Sequence, residues 1–281
     1  MTERLDPIAM RISGQARFAR LVARPEPEID LALGMLVIAE QGRPPIDEPA
    51  ILGRLDGFAE RVRIRLDAGD APAIAADRLH DVLYREVGLR GPTAAEYGDP
   101  ANSLLDQVLG RGVGLPITLA VIELETAWRI GLPLVGIGLP GHFIVAGPDG
   151  RRFDPAGGGR ALTLDDCQAL IHRSVGEGVL LHRGMLRPVG RREILARVLR
   201  NLRSAHLGRR DWPAAVDAIE LLRVLEPTDP EHGRDRGLLL GRMGRFTEAR
   251  AALRSYLDER PDAHDAADVR RVLAIFGGRL N

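Results

Sequence analysis

The stretches Gly114-Leu-Pro-Ile-Thr-Leu-Ala120, Pro140-Gly-His-Phe143 and Phe153-Asp-Pro155 decide the fold of this 281-residue chain. The first opens the apolar run 115–130, which predicts a buried helix that ends at Gly131. Beyond it the apolar stretches become short, and Gly and Pro separate them, which is typical of a small antiparallel sheet. The predicted strands cover 134–139, 142–145 and 151–153.

A histidine and an aspartate stand at the ends of two of these predicted strands. Two strands joined by a short turn place His142 beside Asp154, where the carboxylate orients the imidazole. A nucleophile at the N-terminal end of the preceding helix would complete a triad, because the helix dipole lowers the pKa of a thiol there. The pattern therefore predicts a hydrogen bond between His142 and Asp154 on adjacent strands.

Helical patterns flank the predicted sheet on both sides. Apolar residues recur at helical spacing within 29–40, 51–62 and 79–87. Thr163 with Asp166 three residues later has the spacing of a capping box and predicts a helix through Ile171. The predicted domains are a helical N-terminal region (1–95), a core (96–190) and a C-terminal helical region (191–281), which together make an α+β fold.

The last third of the chain repeats itself. Trp212 and Phe246 are 34 residues apart, and so are Pro227 and Pro261. This is the period of the tetratricopeptide repeat, in which each unit is a pair of antiparallel helices. Two units are too few for a free-standing array, so we expect them to pack against the core, with 265–276 as a capping helix.

Together these features resemble the transglutaminase-like superfamily, and within it the bacterial SirB-type branch. The resemblance extends from about Ile29 to Pro261 and is densest in Asn102-Ser-Leu-Leu and in the three stretches quoted above. It implies a transglutaminase-like (papain-like) core with a small antiparallel sheet. It also implies helices before this core and tetratricopeptide helices after it.

The resemblance also implies a site, and this chain departs from it at the nucleophile. Catalytic members of the superfamily carry Cys, His and Asp in that order, with the Cys in a Gly-x-Cys-x-x-x-Ala setting. Matching Gly114 and Ala120 to this setting puts Pro116 at the Cys position, whereas His142 and Asp154 match the other two members. Proline has no thiol and no N–H, so it can neither attack nor donate to an oxyanion. No residue is therefore predicted to be catalytic. His142 and Asp154 form a degenerate dyad, which is either a functional pair or a purely structural one.

Other polar residues near the predicted site have more than one interpretation. Asn102 either contacts a ligand at the cleft mouth or caps a helix over 103–109. Thr118 is a hydroxyl near the predicted site that would need an adjacent base to act as a nucleophile, and helix geometry directs it away from position 116. Glu123 faces either the site or solvent. The single cysteine, Cys167, excludes a disulfide within the chain and a cysteine-based zinc site, and we expect it to be buried as a small apolar residue. We predict no metal and no cofactor.

The amino-acid composition restricts the classes of partner that we expect the protein to bind and the compartment in which we expect it. Thirty-nine basic residues, all arginine, balance 39 acidic ones, so no net field favours nucleic acid or an anionic membrane. Without lysine the chain offers no side-chain amine for a Schiff base. The first six residues, Met-Thr-Glu-Arg-Leu-Asp, lack the apolar stretch of a signal peptide. These observations predict a cytoplasmic protein that binds neither nucleic acid nor membrane.

The sequence predicts a non-catalytic interaction module that binds a protein or peptide through its tetratricopeptide region. Whether this module has a regulatory role is left open by the sequence. Arg197, Arg200 and Arg203 recur along one predicted helix, and guanidinium groups pair well with the carboxylates of an acidic peptide. One alternative is a hydrolase or acyltransferase that uses His142 and Asp154 with water or a bound metal. Another is a regulator that binds a small molecule in the degenerate cleft.

Overall fold

A computed structural model describes residues 7–278, and of residues 7–10 it describes the backbone alone. The polar N-terminal hexapeptide, on which the expectation of no signal peptide rests, lies outside these residues. The chain forms two compact units. The core unit comprises Glu26–Ala39 and Pro45–Val198, and the repeat unit comprises the described parts of Met1–Pro25, Glu40–Pro44 and Leu199–Asn281. The three-region division drawn from the sequence stays a prediction.

The regular elements of residues 7–278 follow in chain order. They are α1 (Pro7–Val22), α2 (Leu31–Glu40), α3 (Glu48–Arg63), α4 (Pro72–His80), α5 (Leu105–Arg111), α6 (Pro116–Arg129), β1 (Val135–Ile137), β2 (Ile144–Ala146), β3 (Arg152–Asp154), β4 (Arg160–Leu162), α7 (Leu164–Val175), α8 (Arg191–Gly208), α9 (Trp212–Leu225), α10 (Glu231–Arg242), α11 (Phe246–Glu259) and α12 (Ala266–Gly278). Single turns of 3₁₀-helix cover Glu26–Glu28, Pro100–Ser103 and Arg183–Leu186, and Asp81–Glu86 is π-helical.

Helix α6 is the central element of the core unit. Pro116 occupies its first turn, where a missing N–H costs nothing, and all residues from Pro116 to Ala127 are buried. The helix ends before Gly131, whose positive φ of 77° suits a glycine. The predicted buried helix and its end are confirmed.

Glu125 and Arg129 are four residues apart in α6, a spacing that predicts an ion pair on the exposed side of the helix. The predicted exposure is wrong. Glu125 and Arg129 do pair, but not on an exposed face, because Glu125 is buried and accepts a hydrogen bond of 3.0 Å from the N–H of Ala32. This N–H belongs to the first turn of α2, where backbone donors lack partners within the helix. Burial raises the pKa of the Glu125 carboxyl although Arg129 opposes the effect.

The described strands form one antiparallel sheet in the order β1-β2-β3-β4. Val145 pairs with Phe153 across β2 and β3, so their side chains share a face of the sheet. The opposite face carries Ile144 and Ala146, which pack with Cys167 and Ile171 of α7. The predicted capping box of Thr163 and Asp166 is confirmed, and α7 continues to Val175. Strand β4 was not predicted.

The repeat unit consists of packed helix pairs. Helix α9 packs on α10, α10 on α11, and α11 on α12. Trp212 and Phe246, which are one period apart, both stand at the first position of a helix. Helix α12 covers Leu253 and Tyr256 with Val269, as expected of a capping helix. The sequence did not predict that α1 packs on α9 in this same unit, with Arg11 bound to Asp217 at 2.9 Å.

Within residues 7–278, no helix combines the length and the apolar character that crossing a bilayer requires.

Candidate functional site

His142 and Asp154 form the hydrogen-bonded pair that the sequence predicts. The His142 Nε2 atom lies 2.9 Å from Asp154 Oδ1, and the two side chains are 13% and 9% exposed. Asp154 is the last residue of β3, whereas His142 lies in the turn two residues before β2. The hydrogen bond is therefore confirmed, although the histidine precedes its strand.

A glycine-rich turn after β3 fixes the Asp154 carboxylate. The N–H of Ala156 donates to Asp154 Oδ1 at 3.1 Å, and the N–H groups of Gly157 and Gly159 donate to the Asp154 carbonyl. Burial raises the pKa of the Asp154 carboxyl, but His142 and the N–H groups of Gly157 and Ala156 outweigh it and lower this pKa below its ordinary value. Asp154 is thus ionised at neutral pH and holds the imidazole in one orientation.

Arg197 supports the turn that carries His142. Its guanidinium donates to the carbonyl of His142 at 2.7 Å and to the carbonyl of Leu139, and it lies over the Phe143 ring at 5.6 Å. Arg197 belongs to the core unit. Its donors are directed at this turn, and its predicted part in a peptide-binding face stays a prediction.

The described geometry provides no thiol nucleophile. Pro116 is the first residue of α6 and is buried. Cys167, the one cysteine of the chain, is fully buried beneath the sheet, as predicted, and burial raises the pKa of its thiol. A thiol with a raised pKa and no solvent access is chemically inert at neutral pH. The assignment of Pro116 to the nucleophile position still rests on the family resemblance.

The cleft candidates Asn102 and Thr118 are fully buried. Asn102 does not cap a helix: its amide donates to the carbonyl of Glu96 at 2.7 Å, and α5 begins only at Leu105. Asp99 instead caps the turn that contains Asn102. The side-chain oxygens of Asn102, Ser103 and Thr118 have no hydrogen-bond partner within the described part of the chain, which is uncommon for buried polar atoms.

The third cleft candidate, Glu123, lies at the centre of a buried network that the sequence did not predict. It is fully buried, the His80 Nε2 atom lies 3.0 Å from its Oε1, and the Tyr84 hydroxyl donates to its Oε2. Burial, followed by the charge of Glu123, raises the pKa of Tyr84 well above its ordinary value. The available sequence signal was an acidic residue in an otherwise apolar helix, because such a residue must find donors elsewhere.

The remaining two arginines predicted to bind a peptide are paired within the repeat unit. Arg200 pairs with Glu226, and Arg203 pairs with Asp235 at 3.0 Å. An acidic ligand would have to compete with these carboxylates. The binding role predicted for Arg200 and Arg203 stays a prediction.

One group of side chains in the repeat unit has the spacing of metal ligands. Glu226, Asp229 and His232 offer ligand atoms within 4.8 Å of one another. However, Glu226 already binds both Arg200 and the His232 imidazole, the latter at 2.8 Å. Glu226 is therefore already engaged by a guanidinium and an imidazole, and we assign the group no metal.

Comparison with known proteins gives the family. Residues 49–200 match the transglutaminase-like superfamily, and residues 202–274 match the tetratricopeptide repeat. A UPF0162 protein of Xylella fastidiosa strain 9a5c is 34% identical over 241 residues, which are 84% of this chain and 85% of that protein. A UPF0162 protein of Pseudomonas aeruginosa is 36% identical over 198 residues, which are 68% of this chain and 69% of that protein.

A more distant relative is the human F-box only protein 21, which is 29% identical over 167 residues, covering 54% of this chain and 25% of that protein. No solved structure matches the chain. The chain belongs to the transglutaminase-like superfamily and, within it, to the UPF0162 family. The resemblance stated from the sequence, including the α+β class and the tetratricopeptide region, is thereby confirmed.

Proposed function

We propose that this protein is a non-catalytic interaction module that binds a protein or peptide through its repeat unit. The observation that carries the proposal is the state of the only thiol: Cys167 is fully buried, so a transglutaminase-like core lacks the group that such a core uses for chemistry. The cytoplasm is the location we infer from the composition.

The repeat unit supplies the second support. Tetratricopeptide helix pairs generally present a surface that holds a partner. On this surface we propose the face formed by Arg200 and Arg203, whose exposed or partly exposed guanidinium groups keep donors beyond those used for Glu226 and Asp235. An acidic segment is the matching partner, and its affinity depends on salt because each exposed pair is worth at most about 1 kcal/mol.

The test is a quantitative capture from native lysate with full-length protein. Wild type is compared with the double variant Arg200→Glu, Arg203→Glu and with the control Arg254→Glu, which reverses an exposed charge on α11. We expect the double variant alone to lose the captured protein and the salt dependence of its binding. Recovery of the same proteins by all three would exclude this face.

A hydrolase or acyltransferase without a thiol is the second candidate function. The His142–Asp154 pair favours it, because an imidazole that an ionised carboxylate orients is suited to act as a general base. Its test is ester and amide hydrolysis by wild type and by His142→Asn. Turnover by the wild type that falls at least about 100-fold in the variant would support this candidate over the first.

A further inference from the structure

A pocket of about 470 Å³ opens beside the buried Glu123 network, in the core unit and apart from the His142–Asp154 hydrogen bond. Its lining includes His80, Phe153, Gly159 and the guanidinium-bearing residues Arg85, Arg151 and Arg160. This volume lies within the range of small-molecule sites in proteins. Neither the family resemblance nor the proposed interaction role uses it.

His80 is held rigidly at the wall of this pocket. Its Nε2 atom faces Glu123 Oε1 at 3.0 Å, and Phe153 packs edge-on against the imidazole with 4.5 Å between ring centres. Glu123 accepts from both His80 and Tyr84, so the proton of this contact belongs on Nε2. Glu123 does not line the pocket, whereas His80 does. The Nδ1 atom, which has no partner among the described residues, is therefore the nitrogen available to a ligand.

The other side of the pocket carries three arginines and two aspartates, Asp77 and Asp81. Arg151 donates from each of its three side-chain nitrogens, to Asp149, Asp77 and the Ala73 carbonyl. Arg85 and Arg160 each have one carboxylate partner, Asp81 and Asp166 respectively, and both are largely exposed. A guanidinium has five N–H donors, so Arg85 and Arg160 retain donors for an anion.

We propose that this pocket binds a small molecule through a phosphate-type oxyanion, which Arg85 and Arg160 hold by charge-assisted hydrogen bonds while His80 Nδ1 accepts a hydrogen bond from a protonated phosphate oxygen. Arginine suits such a group because its planar fork matches two oxygens at once. At neutral pH a phosphate has oxygens that accept from both guanidinium groups and a hydroxyl that donates to the imidazole. An ionised carboxylate has two acceptor oxygens and no hydroxyl, and so it offers nothing that donates to His80 Nδ1.

The test is calorimetric titration of the full-length protein with inorganic phosphate at constant ionic strength and pH 7. We expect saturable binding with a roughly millimolar dissociation constant. Arg85→Gln and Arg160→Gln should each weaken it at least about fivefold, equivalent to 1 kcal/mol. Arg187→Gln, which removes an exposed arginine paired with Glu193 elsewhere in the same unit, should leave it unchanged.

His80→Gln tests the contact between the ligand and the His80 side chain, and circular dichroism shows whether this variant folds. If it does not fold, the two arginine variants alone test the proposal. A titration with acetate tests the class of ligand. Absence of phosphate binding, equal binding by all arginine variants, or acetate binding as tight as phosphate binding would each overturn the proposal.

Discussion

Arg197 and Arg200 lie on the same helix, but their side chains have different structural roles. The Arg197 guanidinium bridges the carbonyls of Leu139 and His142, so the turn that carries the histidine depends on it. Arg200, three residues later on the same helix, makes an ion pair with Glu226 at the surface. The sequence presents the two arginines alike because helical spacing does not reveal which backbone carbonyls lie opposite.

We predict that Arg197→Met destabilises the protein by about 2 kcal/mol, since the methionine keeps the apolar stem but leaves two carbonyls without a charged donor. Arg200→Met should cost at most about 1 kcal/mol. Chemical denaturation of both variants measures the difference. Equal losses would show that Arg197 does not support the turn.

Asp154 gives a prediction about pH. Its folded pKa lies below its ordinary value, so the ionised carboxylate stabilises the fold at every pH above the unfolded pKa of about 3.9. This contribution is lost as the pH falls through the folded pKa. In Asp154→Asn the titrating group is absent, so the gap in unfolding free energy between wild type and variant should close from pH 5 to pH 2. A gap as large at pH 2 as at pH 5 would contradict this account.

The residues of the site differ in how far the sequence predicts them. His142 and Asp154 follow from strand order, because two short strands with one turn between them leave little freedom in pairing. His80 and Tyr84 lie about 40 residues before Glu123, and no local pattern joins them to it. Only the cost of burying an unpaired carboxylate indicates that such partners exist, and it does not identify them.

At the scale of the element, the turn Asp154–Gly159 lies close to two polar clusters of the core unit, the His142–Asp154 pair and the Glu123 network. A side chain at Gly157 would meet the Asp154 carboxylate at 2.8 Å, and one at Gly159 would meet Tyr84 at 2.7 Å and His80 at 2.9 Å. The glycines let the backbone pass close to both the His142–Asp154 pair and the Glu123 network. From the sequence alone, the glycine run 157–159 predicts only a flexible turn, because its close approach to other elements cannot be recognised from one chain segment.

Gly158 and Gly159 allow conformational strain to be separated from crowding. Their φ angles are 72° and 73°, but nothing lies within 4 Å of a side chain added at Gly158. Gly158→Ala should cost about 1 kcal/mol for the left-handed backbone alone. Gly159→Ala should cost about 2 kcal/mol more, because it also displaces Tyr84 and His80. Thermal unfolding measures both, and equal losses would mean that the turn does not press on the network.

The sequence predicts that most helices and strands exist, but it predicts their limits and their packing partners less well. Helix α6 was predicted almost to the residue because apolar residues, Pro116 and Gly131 all agree on its limits. Strand β4 has two exposed residues of three and therefore no apolar alternation. The place of α1 on α9 depends on residues about 200 positions apart, which periodicity does not connect.

At the scale of the whole molecule, the chain combines a transglutaminase-like core unit with a repeat unit that its N-terminal helix completes. The 34-residue period predicted the repeat helices because it is a property of the sequence itself. The burial of the one cysteine also follows from the sequence, since the apolar pattern around Cys167 predicts it. The pocket beside His80 could not be predicted, because its lining comes from α4, the π-helical turn after it and the segment 151–161.

The central claim is that this core carries out no thiol chemistry, and the most direct measurement is amine incorporation into a glutamine-donor peptide. The full-length protein is incubated with the peptide and a labelled amine, with and without a thiol alkylator, beside Cys167→Ala. Because Cys167 is fully buried with a raised thiol pKa, we predict no incorporation above the protein-free blank in any reaction. Alkylator-sensitive incorporation by the wild type that is lost in Cys167→Ala would contradict the claim.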